Sequence, residues 1–211
     1  MAGPITHIVL TDKVFDRFFD GMDRKEFIIG TLFPDIRYLK VIERSKTHFE
    51  GTGIIDILNE DSFNAGLKFH SIIDDARRKY ISENDVYAPY KKENHSSMMF
   101  KIAEDMFFYE FIEDWSQFIS FFDHISPAEK SFDIPEETLK NWHSVIQQYL
   151  KYLPGEKTLK ALTIFAGLSN KAAANMSQYM KEIQADNSIR DKLVYFYHNI
   201  EAYINKSQGV A

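Results

Sequence analysis

Imidazole and carboxylate side chains recur through the first third of the chain in an order that could build a metal site. His70 and Asp74 stand four residues apart in FHSIIDDARRKY, so in a helix both would project from one face, with Arg77 close by. Such a pair supplies two preorganised ligands to an ion that needs bonds of about 2 Å. A surface His-Asp pair beside an arginine is the alternative interpretation of this motif taken alone.

Further residues of the same types come before this pair. His7 lies near the start, Asp35 follows Pro34 in TLFPD, and His48 stands in KTHFEG. The 211 residues include no cysteine, which excludes disulfides, thiolate ligands and a cysteine nucleophile. Any metal site in this chain must therefore use nitrogen and oxygen donors from His, Asp and Glu.

Four segments of the first half, GPITHIVL, GTLFPDIRYL, KTHFEG and GLKFHSIIDDAR, together resemble the zinc-dependent phospholipase C family of metal-cluster hydrolases. The resemblance implies an all-α fold whose metal ligands lie on several helices. It also implies that His7 binds one ion, that Asp35, His48 and His70 bind a second, and that Asp74 bridges the two. Asp35 would in addition orient or deprotonate the attacking water.

The sequence also departs from the family pattern. The family builds a third metal site with H-x-x-x-E, a motif that this sequence lacks, since Met99 follows His95 and Ala128 follows His124 at that spacing. We therefore expect two zinc ions, or three if other residues complete a third site. Secreted members use a free amino terminus as a ligand, but MAGPITHIVL lacks a secretory signal, so residues 1–4 are expected to contribute nothing.

The segment HSSMMFKIAEDMFFYEFIEDWSQFISFF predicts one long helix with Glu104 inside an aromatic stripe. Because burying a lone charge is costly, this carboxylate must be paired or metal-bound. In one interpretation Glu104 pairs with a lysine or arginine, or accepts from a tyrosine or histidine. In the other, Glu104 joins His95 as a metal ligand or as a partner of one, with Asp105 on the adjacent face. The stripe contains Phe100, Phe107, Phe111 and Phe118.

Two arginines could hold the oxygens of a phosphate group. Arg37 lies two residues after Asp35, and Arg77 lies three residues after Asp74. A guanidinium group matches phosphate oxygens by paired hydrogen bonds. Surface salt bridges are the alternative interpretation of both residues.

The elements that must position these side chains are helices, because apolar residues recur at three- and four-residue spacing and no alternating strand pattern is sustained. We expect a single all-α domain over residues 1–211, with a metal-binding half over 1–125 and a helical scaffold half over 126–211. His143 has no carboxylate at helical spacing, and His198 has only Glu201. The predicted helices span 6–19, 23–33, 62–81, 96–122, 135–153, 156–168, 171–185 and 189–205.

Charge and motif content narrow the function. A net charge of −6 argues against a nucleic-acid scaffold, and the absence of a signal or membrane-spanning segment predicts a cytoplasmic protein. No H-E-x-x-H, His-Asp doublet, G-x-S-x-G or phosphate-binding glycine loop occurs. The expected function is zinc-dependent hydrolysis of a small phosphorylated substrate or a phospholipid head group. The alternative is a non-catalytic helical module with a degraded metal site, which binds a partner through the tyrosines of YLKYL and LVYFYHNIEAYI.

Overall fold

A computed structural model describes residues 1–90, 96–165 and 169–207. Within these ranges the chain forms α-helices and short 3-10 turns without a β-strand, which confirms the all-α class. Among the described helices, none is both long enough and apolar enough to cross a bilayer. The helices are α1 (Pro4–Phe18), α2 (Arg24–Leu32), α3 (Ile54–Ile57), α4 (Ser62–Glu83), α5 (Ser96–Tyr109), α6 (Ser116–Ser120), α7 (Glu136–Lys151), α8 (Glu156–Phe165), α9 (Asn170–Ala185) and α10 (Asn187–Ser207).

Helices α2 and α4 pack with their backbones in contact. A Cβ atom on Gly30 would lie 2.1 Å from the carbonyl oxygen of Phe63, and one on Gly66 would lie 2.0 Å from that of Phe27. Only glycine permits such an approach at either position. The close crossing brings the last turns of α2 against the first half of α4, which carries His70.

Helix α1 is buried through most of its length. It begins with a proline at its first position, where a missing N–H costs nothing. From Ile5 to Thr11 every residue is buried, including the polar side chains of Thr6, His7 and Thr11. A helix buried on all sides cannot keep polar groups in water, so these groups need partners inside the protein.

The second half of the chain covers the first through ring packing and hydrogen bonds. Helix α10 packs on α4, where the ring of Phe196 stacks on Tyr80 with centroids 4.7 Å apart. The Tyr80 hydroxyl also donates to the carbonyl oxygen of Lys192 at 2.6 Å. Helix α9 packs on α5, and α7 packs on α6. The start of α7 has acids in its first turn after Pro135, as the sequence predicts.

The prediction of one long helix over 96–122 is wrong. Helix α5 ends at Tyr109, and the short α6 begins at Ser116. The Asp114 carboxylate accepts from the Ser116 backbone N–H at 2.8 Å and from its hydroxyl at 2.7 Å, while the Trp115 indole N–H donates to the Tyr109 carbonyl. These local side-chain bonds favour a turn over a continued helix. The aromatic stripe is therefore divided, because Phe111 and Phe118 lie outside α5.

Candidate metal centre

Three side chains from two helices converge in the core. His7 on α1 meets His70 and Asp74 on α4, and ligand atoms of the three lie within 4.8 Å of one another. Both histidines are fully buried, and Asp74 is 6% exposed. Because His70 and Asp74 are one helical turn apart, their shared face was predictable, whereas the arrival of His7 depends on how α1 packs.

The two oxygens of Asp74 face different histidines. Oδ1 lies 3.5 Å from His7 Nε2, and Oδ2 lies 3.6 Å from His70 Nε2. The backbone N–H of Ala2 donates to Oδ1 at 2.6 Å, and the Met1 nitrogen lies 3.8 Å from the same oxygen. The first two residues, which were expected to contribute no metal ligand, therefore contact this carboxylate.

A backbone carbonyl sets the tautomer of His70. Its Nδ1 lies 2.9 Å from the carbonyl oxygen of Thr31, in the last turn of α2, where carbonyls have no partner further along the helix. A carbonyl oxygen only accepts, so Nδ1 carries the hydrogen. The lone pair of Nε2 then points toward Asp74, as it does in metal-binding histidines.

His48 reaches the same place from the segment after α2. Its ring lies 4.9 Å from that of His70, at an angle of 80°. The Thr47 hydroxyl donates to the Arg44 carbonyl oxygen at 3.3 Å, so its oxygen is left to accept from His48 Nδ1 at 3.0 Å. His48 therefore also presents the lone pair of Nε2.

Asp35 completes the predicted set. It lies in the 3-10 turn Phe33–Leu39 directly after α2 and is 5% exposed. Its Oδ1 has no hydrogen-bond partner. Burial raises the pKa of this carboxyl, and the positive charges of Lys101 and Arg37 together with His7 oppose that rise. Of the five residues that the family resemblance assigned to metal, the structure brings ligand atoms of His7, His70 and Asp74 within 4.8 Å of one another, with the half-buried His48 in ring contact with His70. Asp35 is linked to this group by the charges of His7 and Asp74, which act on its carboxyl.

Buried polar atoms without a hydrogen-bond partner concentrate among these side chains. Native protein interiors leave few polar atoms without a hydrogen-bond partner, so each such atom needs an explanation. A cation that accepts nitrogen and oxygen lone pairs would satisfy most of them at once. The atoms in question are His7 Nδ1, His7 Nε2, Asp35 Oδ1, His48 Nε2, His70 Nε2 and Asp74 Oδ2.

Electrostatics keep this cluster in the protonation state that a metal requires. Burial lowers the pKa of His70 well below its usual value, and burial followed by the charges of Arg44 and Arg37 lowers that of His48 to about 4. Burial alone would raise the pKa of the Asp74 carboxyl, but His7 and His70 outweigh it and hold this pKa well below the ordinary range. The lowered pKa values hold His48 and His70 in the neutral form that ligation of a metal by an imidazole nitrogen requires.

Glu104 and Arg77 bind each other rather than a ligand. Arg77 Nε and Nη2 lie 2.5 Å and 2.6 Å from the two oxygens of Glu104, and the Tyr87 hydroxyl donates to Glu104 Oε1 at 2.7 Å. Glu104 is 1% exposed. The pairing interpretation is thus the one observed. Glu104, predicted as a metal ligand, and Arg77, predicted to hold phosphate, are therefore engaged by each other in this structure.

We expect Glu104→Gln to lower the free energy of unfolding by about 3–5 kcal/mol, since it leaves the buried Arg77 without a counter-charge. Urea denaturation at pH 7 measures this. Asp75→Asn is the matched control, because it breaks a pair with the exposed Arg78 and should cost at most about 1 kcal/mol. Equal losses in the two variants would contradict the assignment of a buried pair.

Asp105 anchors the start of α1. No motif in the sequence points to this role, and the sequence singles out Asp105 only as the neighbour of Glu104. Its carboxylate accepts from the Thr6 N–H at 2.8 Å, the Thr6 hydroxyl at 2.6 Å and the Tyr149 hydroxyl at 2.8 Å. A Cβ atom on Gly3 would lie 2.2 Å from this carboxylate, so glycine permits the contact. Burial raises the pKa of Asp105 to about 6. This carboxylate holds the turn of α1 that carries His7.

The remaining described histidines are not part of the cluster, and His95, which was predicted as a ligand, lies outside the described residues. His143 is buried but engaged at both nitrogens, by the Phe122 carbonyl at 3.1 Å and by Glu129 Oε1 at 2.8 Å. It borders a cleft of about 460 Å³ beside α7, where Glu136 pairs with Lys140. No free ring nitrogen of His143 therefore faces that cleft.

Comparison with known proteins finds no relative of this chain. No protein-family model matches the chain, and no curated protein and no solved structure matches it either. The geometry of the cluster and the resemblance of the sequence segments are therefore the grounds for assigning a function.

Proposed function

We propose that the protein is a zinc-dependent hydrolase of phosphodiesters or phosphomonoesters. The observation that carries this proposal is the convergence of His7, His70 and Asp74, beside which Asp35 and His48 also present buried atoms that lack a partner. A set of imidazole and carboxylate ligands without thiolates suits zinc.

The division of Asp74 between two histidines supports a pair of ions. One ion would be held by His7 and Asp74 Oδ1, and the second by His70, His48, Asp35 and Asp74 Oδ2. This is the arrangement that the resemblance to the zinc-dependent phospholipase C family implies. When bound, the ions would supply an acidified water and neutralise charge on the phosphate oxygens.

The residues of the chain have distinct tasks in this proposal. The Thr31 carbonyl and Thr47 hydroxyl orient the two imidazoles so that both Nε2 atoms face the centre. Burial excludes bulk water and strengthens charge interactions. Asp35, whose pKa is raised by burial, can accept a proton from the attacking water, since a carboxylate base works best when its pKa approaches the working pH.

The test is metal content together with hydrolysis. We expect purified protein to contain roughly two zinc ions per chain and to hydrolyse bis-p-nitrophenyl phosphate or p-nitrophenyl phosphate. Metal is measured by plasma mass spectrometry and hydrolysis by released nitrophenol. Zinc-replete protein that cleaves neither compound between about pH 6 and pH 9 would contradict a general hydrolase.

The alternative, a helical module that binds a partner, rests on exposed aromatic residues. Tyr152 and Tyr195 are 61% and 54% exposed, and Leu153 beside Tyr152 is 53% exposed. Of the other named tyrosines, Tyr149 donates to the buried Asp105 and Tyr203 packs on Tyr80, while Tyr197 is half-buried. A protein of this kind should carry no stoichiometric zinc. The substrate and a cytoplasmic location stay predictions.

A further inference from the structure

Three cationic side chains beside the metal centre converge on one small region. Arg37 Nη2 and Arg44 Nη1 lie 2.6 Å and 3.4 Å from the sulfur of Met1. Arg37 Nη2 and Lys101 Nζ each donate to the Tyr38 hydroxyl at 3.1 Å. We call Arg37, Tyr38, Arg44 and Lys101 the cationic rim. In the described part of the chain, none of its three cations forms an ion pair.

The groups that these cations contact are weak acceptors. A thioether sulfur and a phenol oxygen carry no charge, whereas a guanidinium group binds an anionic oxygen roughly twice as strongly as a neutral one. The chain has 31 acidic residues against 25 basic ones, so the lack of an ion pair at the rim does not reflect a shortage of carboxylates. Arg37 Nε is also buried and without a partner. The charges of Arg37 and Lys101 act on the buried Asp35 carboxyl, but neither cation forms an ion pair with it among the described residues, so the donors of the rim are available to an external anion.

The rim lies one residue away from the metal centre. Met1 spans the two places, because its nitrogen lies 3.8 Å from Asp74 Oδ1 while its sulfur contacts Arg37 and Arg44. Chain connectivity gives the same result. Arg37 belongs to the turn of Asp35, and the Arg44 carbonyl accepts from Thr47, which orients His48.

The rim is open to solvent and unsuited to a cationic group. Arg44 is exposed, and Tyr38 is 41% exposed. The face of the Tyr38 ring is occupied by Arg37 at 4.4 Å and approached by Lys101 at 5.5 Å, so it does not offer an aromatic surface to a quaternary ammonium. Such an ammonium would meet three like charges.

We propose that the cationic rim binds a second anionic group of the substrate, one residue's length from the ester that is hydrolysed at the metal centre. The inference rests on the proposed function and specifies its substrate class. The substrate is a phosphate ester that carries a further phosphate, rather than a zwitterionic ester such as phosphocholine. Two arginines and a lysine match the three oxygens of a terminal phosphate.

The first experiment measures anion binding without reference to hydrolysis. Inorganic phosphate is titrated calorimetrically into the purified full chain, and zinc content is measured before and after. We expect Arg44→Gln and Lys101→Met each to raise the Kd about tenfold, because each removes one charged hydrogen bond. Lys46→Gln, which removes the same charge from the turn Arg44–Lys46, is the matched control and should change Kd less than about twofold.

The second experiment compares two chromogenic diesters. Thymidine 3′-phosphate 5′-(p-nitrophenyl phosphate) carries a second phosphate, and thymidine 5′-(p-nitrophenyl phosphate) lacks it. The wild-type protein should cleave the first with kcat/KM about tenfold higher, and Arg44→Gln should remove that preference through KM while kcat stays within about twofold.

The outcomes separate this inference from the proposed function. Equal phosphate binding in wild type, Arg44→Gln and Lys101→Met, or equal weakening in Lys46→Gln, would overturn the rim as a site. Hydrolysis of both diesters without preference would likewise overturn it while upholding the hydrolase. A chain that carries no zinc and cleaves no diester, yet loses phosphate binding in Arg44→Gln, would uphold the rim and refute the hydrolase.

Discussion

Replacement of Asp74 by Asn is expected to remove metal and activity together. Asp74 presents one oxygen to His7 and the other to His70, so it is the ligand on which both proposed ions depend. Asn keeps the shape of the side chain but loses its negative charge and one of its two acceptor oxygens. We expect zinc content to fall to well below half and kcat/KM for a chromogenic phosphodiester to fall by about a thousandfold or more.

Asp75→Asn provides the matched control for this variant. It makes the same chemical change one residue further along α4, where the carboxylate pairs with the exposed Arg78. Zinc content and hydrolysis should stay at wild-type levels. His198→Gln, on the exposed face of α10, should be equally silent. If Asp74→Asn retained full zinc and full activity, the bridging role would be wrong.

Removal of the metal is the second large effect. Dialysis against a chelator should abolish hydrolysis, and added zinc should restore it, because in the proposed mechanism the metal acidifies the attacking water. Rates should rise with pH through the neutral range as the bound water ionises. Activity that survives complete loss of zinc would refute the mechanism.

The acid limit of zinc retention follows from the imidazole pKa values. Ordinary imidazoles would release zinc below about pH 6, where protons compete for their lone pairs. Here burial, Arg44 and Arg37 lower the pKa of His48 to about 4, and burial lowers that of His70 well below its usual value. Proton competition therefore begins at lower pH. We expect zinc to be retained at pH 5.5 and lost only as the pH approaches about 4, as equilibrium dialysis would show.

The same shift fixes the pH dependence of stability for the zinc-free chain. His48 has a pKa of about 4 when folded, whereas an unfolded histidine titrates near 6.5. Between these values the unfolded state binds more protons than the folded state, so stability rises with pH. The part of the folding stability that depends on neutral His48 is fully present above about pH 6.5 and is lost as the pH falls toward 4. Urea midpoints at pH 7 and pH 5 measure the difference, which His48→Gln should reduce.

Local periodicity was sufficient for several features of this protein. An H-x-x-x-D spacing on a helix places His70 and Asp74 on one face whatever surrounds them, since 3.6 residues complete a turn. Apolar spacing likewise predicted the all-α class. The cost of a lone buried charge required that Glu104 have a partner, and the structure supplies one. These results depend only on neighbours within a turn or on a general energetic rule.

Tertiary packing decided which side chains meet. Helix α1 delivers His7 because Asp105, about a hundred residues away in sequence, holds its first turn. The tautomer of His70 depends on the Thr31 carbonyl, and a backbone oxygen leaves no mark on a residue pattern. Arg77 could have faced a ligand or Glu104, and only the approach of α5 to α4 selected the acid.

The cationic rim shows the same division. Arg37 could be singled out by its nearness to Asp35, but Arg44 and Lys101 carry no motif and lie 57 residues apart in sequence. Their meeting depends on where the 3-10 turn Arg44–Lys46 and the first turns of α5 come to rest against the start of the chain. Residue types and helical spacing determined which chemistry this chain could perform. Long-range packing determined where those groups converge, because contacts between distant segments depend on the shapes of whole helices and not on local sequence.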